Sequence, residues 1–149
     1  MRQSLICTGD VNLLGIDDPA VPFAAVAPVL HGADVVLGNL ECCLFDPAES
    51  RGMMADDVSG YEGIYAPARN GAALKAGGFH GIGNANNQNY GAEAILASNA
   101  ELDRLGIAHA GTGGNRAAAR APAIIERNGV RYGFLQRTSQ YWPNKIGRA

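Results

Sequence analysis

Phe79-His80-Gly81-Ile82-Gly83-Asn84-Ala85-Asn86-Asn87-Gln88-Asn89-Tyr90-Gly91 is the stretch on which the fold turns. Its first five residues are a short apolar run closed by glycine, the pattern of a buried strand. Four asparagines and one glutamine then follow before Gly91. Such amides cost free energy to bury unless each finds a partner, and their short dipoles hold turns or ligate cations. Beyond Gly91, Ala92, Ile95, Leu96, Leu102 and Leu105 recur at helical spacing until Gly106 stops them. The unit is a strand, a polar loop and a helix.

The same unit appears twice upstream. Ser4-Leu5-Ile6-Cys7-Thr8 reads as a strand, with Gly9-Asp10-Val11-Asn12 as the loop at its carboxyl end. Asp17, Asp18 and Pro19 signal a helix start, and Phe23, Val26 and Leu30 carry its apolar face to Gly32. Pro28 inside that pattern implies a kink or a late start. Ala33-Asp34-Val35-Val36-Leu37 is the next strand and exits into Gly38-Asn39-Leu40-Glu41. Residues 45–63 show no period, although they hold Met53, Met54, Asp56 and Asp57. Ile64-Tyr65-Ala66 is expected as an edge strand, and Pro67 opens a helix that Gly77-Gly78 closes. Ile107-Ala108-His109-Ala110 is a further strand, and residues 115–121 are a short link. Asn128-Gly129 between two β-rich runs signals a hairpin. Strands alternating with helices give an α/β domain with a largely parallel sheet.

Composition narrows the function classes. The 149 residues are 47% hydrophobic and 17% charged with a net charge of −2, so a core is expected and a polybasic nucleic-acid footprint is absent. No apolar run approaches the roughly 20 residues of a membrane span, and the amino terminus lacks the apolar core of a signal peptide. The expectation is a soluble, cytoplasmic protein. Cys7, Cys42 and Cys43 form no C-x-x-C pair, so Cys42 and Cys43 are read as small buried hydrophobes. His80 and His109 sit in or beside apolar runs and are expected as satisfied, partly buried histidines, and His31 sits at a helix end. Gly111-Thr112-Gly113-Gly114 lacks the lysine of a phosphate loop. Tyr141-Trp142 covers apolar surface.

Three strands therefore end in glycine-bearing polar loops on one side of the sheet, where ligands of α/β proteins bind. If Asp10 and Glu41 converge, they would repel unless one takes a proton or a cation lies between them. Asn12, Asn39 and Asn87 can add neutral oxygen ligands, and the set suits Mg²⁺, Mn²⁺ or Ca²⁺ better than Zn²⁺. From spacing alone, turns and caps are the first reading of the same residues.

In these loops, and in Leu105-Gly106-Ile107-Ala108-His109-Ala110-Gly111-Thr112-Gly113 and Gly129-Val130-Arg131-Tyr132-Gly133-Phe134-Leu135, the chain resembles the capsule-biosynthesis family typified by the poly-γ-glutamate protein CapA. That family is related to the calcineurin-like metallophosphoesterases. The resemblance implies a metallophosphoesterase-like sheet with flanking helices, spanned by residues 1–149 as a single domain that lacks the family's second half. It implies a divalent-metal-dependent hydrolase acting on a phosphoester or an anionic polymer. Asp10, Asn12, Glu41 and Asn87 fall at metal-ligand positions, with Asn39, Asn84 and Asn86 around them. Gln88 stands where the family's catalytic histidine is expected, and a glutamine donates hydrogen bonds but shuttles no proton. The alternative is a non-catalytic binding module of the same fold. Apolar surface left uncovered near Val130–Leu135 would support association with another chain.

Overall fold

The computed structural model describes residues 2–46 and 64–139. Its centre is a four-stranded parallel sheet in the order β1 (Leu5–Val11), β2 (Val35–Leu40), β5 (Gly81–Gly83) and β6 (Ala108–Ala110). Two short parallel strands, β3 (Cys43–Leu44) and β4 (Tyr65–Ala66), form a separate pair, and β7 (Ala123–Arg127) and β8 (Val130–Phe134) form an antiparallel hairpin. The helices are α1 (Ala27–Leu30), α2 (Ala72–Ala76), α3 (Ala92–Leu105) and α4 (Arg116–Arg120), with a 3₁₀ turn at Ala68–Gly71 before α2. The α/β fold with a parallel sheet is as expected from sequence. Most of the aperiodic stretch 45–63 lies outside the described residues, as do Tyr141 and Trp142.

Strand order explains the layering. Each step from β1 to β2, β5 and β6 moves the same way across the sheet, and right-handed crossovers then place every connecting helix on one face. Alternation along β2 sorts its side chains accordingly. Val36 and Leu40 face the helices in a core with Leu30, Leu74, Ile82, Leu102 and Ile107. Val35 and Leu37 face the opposite way, against Ile125 of β7 with Tyr132 and Phe134 of β8. Burying each of these large aliphatic side chains stabilises the fold by about 1.5–3 kcal/mol. The hairpin can lie close because β5 offers Gly81, where an added Cβ would stand 2.7 Å from Ile125 Cδ1 and from Leu37 Cδ2. β1 is the less covered part of this face: Leu5 is 52% exposed and Cys7 is exposed. Ile124, Val130 and Leu135 on the hairpin are also exposed.

Several boundaries moved for identifiable reasons. The helix expected from Phe23 begins only at Ala27, because Pro28 has no N–H to donate and occupies the first turn; residues 18–26 form successive turns instead. β1 does not stop at Gly9 but runs on to Val11, so Asp10 lies within the strand. Gly106 closes α3 in the left-handed conformation, φ +70°, and Asn128 and Gly129 both take positive φ in the hairpin turn.

His80 braces the start of β2 and His31 the end of α2, whereas His109 lies in the middle of β6 and, against the expectation of a satisfied side chain, its Nδ1 is buried with no partner among the described residues. His80 Nδ1 accepts from Val36 N–H at 3.1 Å, and His31 Nε2 lies 3.0 Å from the Ala76 carbonyl. His109 Nε2 is 3.3 Å from the Asp103 carboxylate. Cys42 and Cys43 are buried, and burial pushes their thiols up to about 12 and about 11, so both stay protonated.

Two measurements check this packing. Ile125→Ala, at a site 6% exposed, is expected to lower stability by about 2–5 kcal/mol in denaturant unfolding, whereas Ile124→Ala, 46% exposed, stays within about 0.5 kcal/mol. Burial, with Arg127 and Lys75 nearby, holds the His80 imidazole below its ordinary value. The unfolded chain therefore takes up that proton first, and the folded state loses stability as pH falls below about 6.5. His80→Asn, which keeps an acceptor for Val36 N–H and does not titrate, is expected to lose less stability than the parent between about pH 7 and pH 5.5.

Candidate functional site

The carboxyl ends of β1, β2 and β5 bring the predicted residues to one rim. In the parallel register Leu5, Ile6 and Cys7 pair with Val35, Val36 and Leu37, but Asp10 then pairs with Asn39. β1 thus holds one residue more than β2 between these pairs, a bulge. The extra residue inverts the alternation, so Asp10 comes to the hairpin face with Asn39 while Val11 turns into the helical core. Asn39 Nδ2 donates to Asp10 Oδ1. Glu41 extends the ladder by donating its N–H to the Val11 carbonyl at 2.8 Å, which sets it beside the same end of β1.

Asn12 lies one residue past β1, and its Oδ1 accepts from Leu14 N–H at 3.0 Å. This Asx-turn folds the chain back so that Leu13 is buried. Asn70, fully buried on the 3₁₀ turn, donates to the Leu13 carbonyl at 2.8 Å and fixes that loop from behind.

The asparagine stretch is tied down residue by residue. Asn84 Nδ2 donates to Asn99 Oδ1 at 2.8 Å, and Thr112 Oγ1 donates to the same oxygen at 2.9 Å. Asn86 Oδ1 accepts from Gln88 N–H at 2.8 Å. Asn89 Nδ2 donates to the Leu40 and Asn84 carbonyls at 2.9 and 3.1 Å, joining the loop to the end of β2. Gln88 contributes its carbonyl to Ile64 N–H at 3.1 Å, which attaches the loop to the chain entering β4. Asn87 is half-buried. Neither its side chain nor that of Glu41 makes a hydrogen bond or ion pair with another described residue. Asp10, Asn39 and Glu41 thus share one rim, with Asn84, Asn86 and Asn89 holding the loop beside it.

Three participants escape a reading of the sequence. Asn70 and Asn99 look like ordinary helical polar residues. Gln136 follows β8 and reaches back over β5: its Nε2 donates to Asn39 Oδ1 at 2.6 Å and its Oε1 accepts from Ala85 N–H at 2.6 Å. Its signal in the sequence is only that it opens the polar run Gln136-Arg137-Thr138-Ser139-Gln140 directly after the second arm of the hairpin.

The donor set suits a hard cation. Among the described residues no three His, Cys, Asp or Glu side chains gather as a metal-holding group, and the buried thiols are protonated. The side chains at these strand ends that could hold a cation carry oxygen: the second carboxylate oxygen of Asp10, the Glu41 carboxylate and, in the loop after β5, the Asn87 carboxamide. Asn84 Oδ1 and Asn89 Oδ1 are buried and have no partner among the described residues. Two negative charges with neutral amide oxygens fit Mg²⁺, Mn²⁺ or Ca²⁺.

The family model described as Bacterial capsule synthesis protein PGA_cap matches residues 4–148. The chain belongs to this family of bacterial capsule synthesis proteins. Two curated relatives from Sinorhizobium fredii (strain NBRC 101917 / NGR234), "Uncharacterized protein y4sH" and "Uncharacterized protein y4uA", are each 33% identical to it over 123 residues. Those residues are 81% of this chain and 26% of each relative, so this capsule synthesis family member spans about a quarter of the relatives' length. Among its described residues no helix is long and apolar enough to cross a membrane.

The Asn99 node has a measurable weight. Asn99→Ala strands the Asn84 amide and the Thr112 hydroxyl, and is expected to cost about 1–3 kcal/mol in chemical denaturation; Asn99→Asp, which keeps the shared acceptor oxygen, is expected to cost less.

Proposed function

We propose that the rim formed by Asp10, Glu41 and Asn87 is part of a divalent-cation site, and that the whole protein uses this site to hydrolyse a phosphoester or an anionic polymer in capsule synthesis. The observation that carries this reading is the placement of Asp10 against Asn39 with Glu41 on the adjacent chain. Asp10 and Glu41 both lie at the carboxyl ends of the paired strands β1 and β2, and neither has a cationic hydrogen-bond partner among the described residues. A cation there would relieve their mutual repulsion, and it would supply Lewis-acid polarisation of a phosphoryl or carbonyl oxygen. This chain's own part is to hold the carboxylates in place and to wall the site with the asparagine loop. Asn12, with its carbonyl oxygen retaining a lone pair beyond the Leu14 bond, is assigned a supporting ligand role.

The second reading, a non-catalytic binding module for an anionic polymer or a partner subunit, is favoured by Gln88. That side chain stands where the resemblance implies a histidine and carries no titratable proton. The two readings separate in an assay of the full-length protein with a generic phosphodiester, with Gln88→His as a rescue. Turnover by the unmodified protein excludes the binding module; turnover only after Gln88→His supports it.

The cation site itself is tested by calorimetric titration of Mn²⁺ into the 149-residue chain. Asp10→Ala and Glu41→Ala are each expected to weaken binding at least about tenfold, roughly 1.4 kcal/mol or more. Unchanged affinity when both are replaced would refute the assignment.

A further inference from the structure

We infer that Gln136 is a positioning residue. By holding the Asn39 oxygen it fixes the place from which the Asn39 NH₂ donates to Asp10, and its own orientation is anchored by the backbone N–H of Ala85.

Four groups lie in a line across the ends of three strands. Ala85 N–H donates to Gln136 Oε1 at 2.6 Å; Gln136 Nε2 donates to Asn39 Oδ1 at 2.6 Å; Asn39 Nδ2 donates to Asp10 Oδ1. A carboxamide can in principle be turned either way, because its oxygen and nitrogen are nearly the same size. A backbone N–H cannot: it only donates. Ala85 therefore dictates that Gln136 presents oxygen to β5 and nitrogen to β2. Asn39 must then present oxygen to Gln136 and nitrogen to Asp10. The line ends on a carboxylate, which in its ionised form only accepts. Every link points toward Asp10, and hydrogen bonds in one direction polarise one another.

The fold makes room for this line. Gly83 is the register partner of Asn39, and any Cβ there would collide with the Gln136 carboxamide. β5 leaves the space beside Asn39 free, and the hairpin fills it with an amide. The Gln136 backbone is itself held, since its carbonyl accepts from Arg137 Nη1 at 2.7 Å and Arg137 Nη2 donates to the Arg120 carbonyl at the end of α4 at 3.0 Å. The consequence for the site is specific. One Asp10 oxygen is occupied and its rotation is fixed, which leaves the other as the ligating atom. This consequence rests on the cation reading above; the hydrogen-bond line does not.

The test uses two variants of the 149-residue chain. Gln136→Glu keeps an acceptor for Ala85 N–H but removes the donor to Asn39, and sets a second carboxylate in competition with Asp10 for the Asn39 NH₂. Gln136→Met removes both bonds at similar size. By NMR, the parent is expected to show a nuclear Overhauser contact between the Asn39 side-chain NH₂ and the Asp10 β-protons. That contact is expected to weaken in both variants, in Gln136→Glu because two carboxylates share the Asn39 NH₂ and in Gln136→Met because the Asn39 oxygen is no longer held, while their circular dichroism stays that of the parent. A contact of parental strength in both folded variants would overturn the positioning role, as would its absence from the parent. In parallel, Gln136→Met is expected to bind Mn²⁺ about tenfold more weakly than the parent; equal affinity would overturn the link between the line and ligation. A parent that binds no Mn²⁺ sinks the cation reading alone, and the NMR result then decides the positioning role by itself.

Discussion

Between Cys7 and Asp10, strand β1 carries one residue more than β2 does between Leu37 and Asn39. Side chains alternate along a strand, so a single extra residue exchanges the faces of everything after it. In a regular pairing Gly9 would stand opposite Asn39 and Asp10 would point into the core built by Leu40, Ile82 and Leu102. An ionised carboxylate there would be held at a cost of several kcal/mol. The bulge instead places Val11 in that core and Asp10 beside Asn39. The candidate site exists because of this irregularity, and the core tolerates it because an apolar residue follows the aspartate.

The two faces of the sheet then have different roles. One is closed by helices, as the strand order requires, and supplies most of the buried apolar surface. The other is covered over β2 and β5 by the hairpin, whose Ile125 and Phe134 lie close to Gly81. Small residues in β5 do more than save space. Gly81 lets the hairpin approach, and Gly83 lets the residue just past the hairpin reach the strand ends. Packing on this face and the geometry of the rim are thus coupled through one short strand of three residues.

Much of the architecture was legible in the sequence. The apolar runs ending in Gly9, Gly38 and Gly83 marked the parallel strands, Gly91 and Gly106 framed α3, and Asn128-Gly129 marked the hairpin. The rim could be located because three polar loops followed three strands. Register was not legible: the run from Leu5 to Val11 reads as a strand and then a loop, and only cross-strand pairing reveals the bulge. Nor was the partner of Asn39, since Gln136 lies 97 residues further on and its role depends on the docking of the hairpin. Asn84, Asn86 and Asn89 could be placed in a polar loop from composition alone, but the bonds each one makes depend on Asn99, Leu40 and the loop backbone.

At the rim of this member of the bacterial capsule synthesis family the Asp10 carboxylate is held by amides rather than merely gathered with its neighbours. On the proposed reading, the amides fix direction and the charges are left for a cation. Anomalous diffraction from crystals grown with Mn²⁺ tests this most directly. The predicted result is a peak at bonding distance, roughly 2.0–2.6 Å as for hard cations and oxygen, from the Asp10 oxygen that Asn39 does not hold and from the Glu41 carboxylate. A saturated crystal whose peaks all lie away from both carboxylates would contradict it.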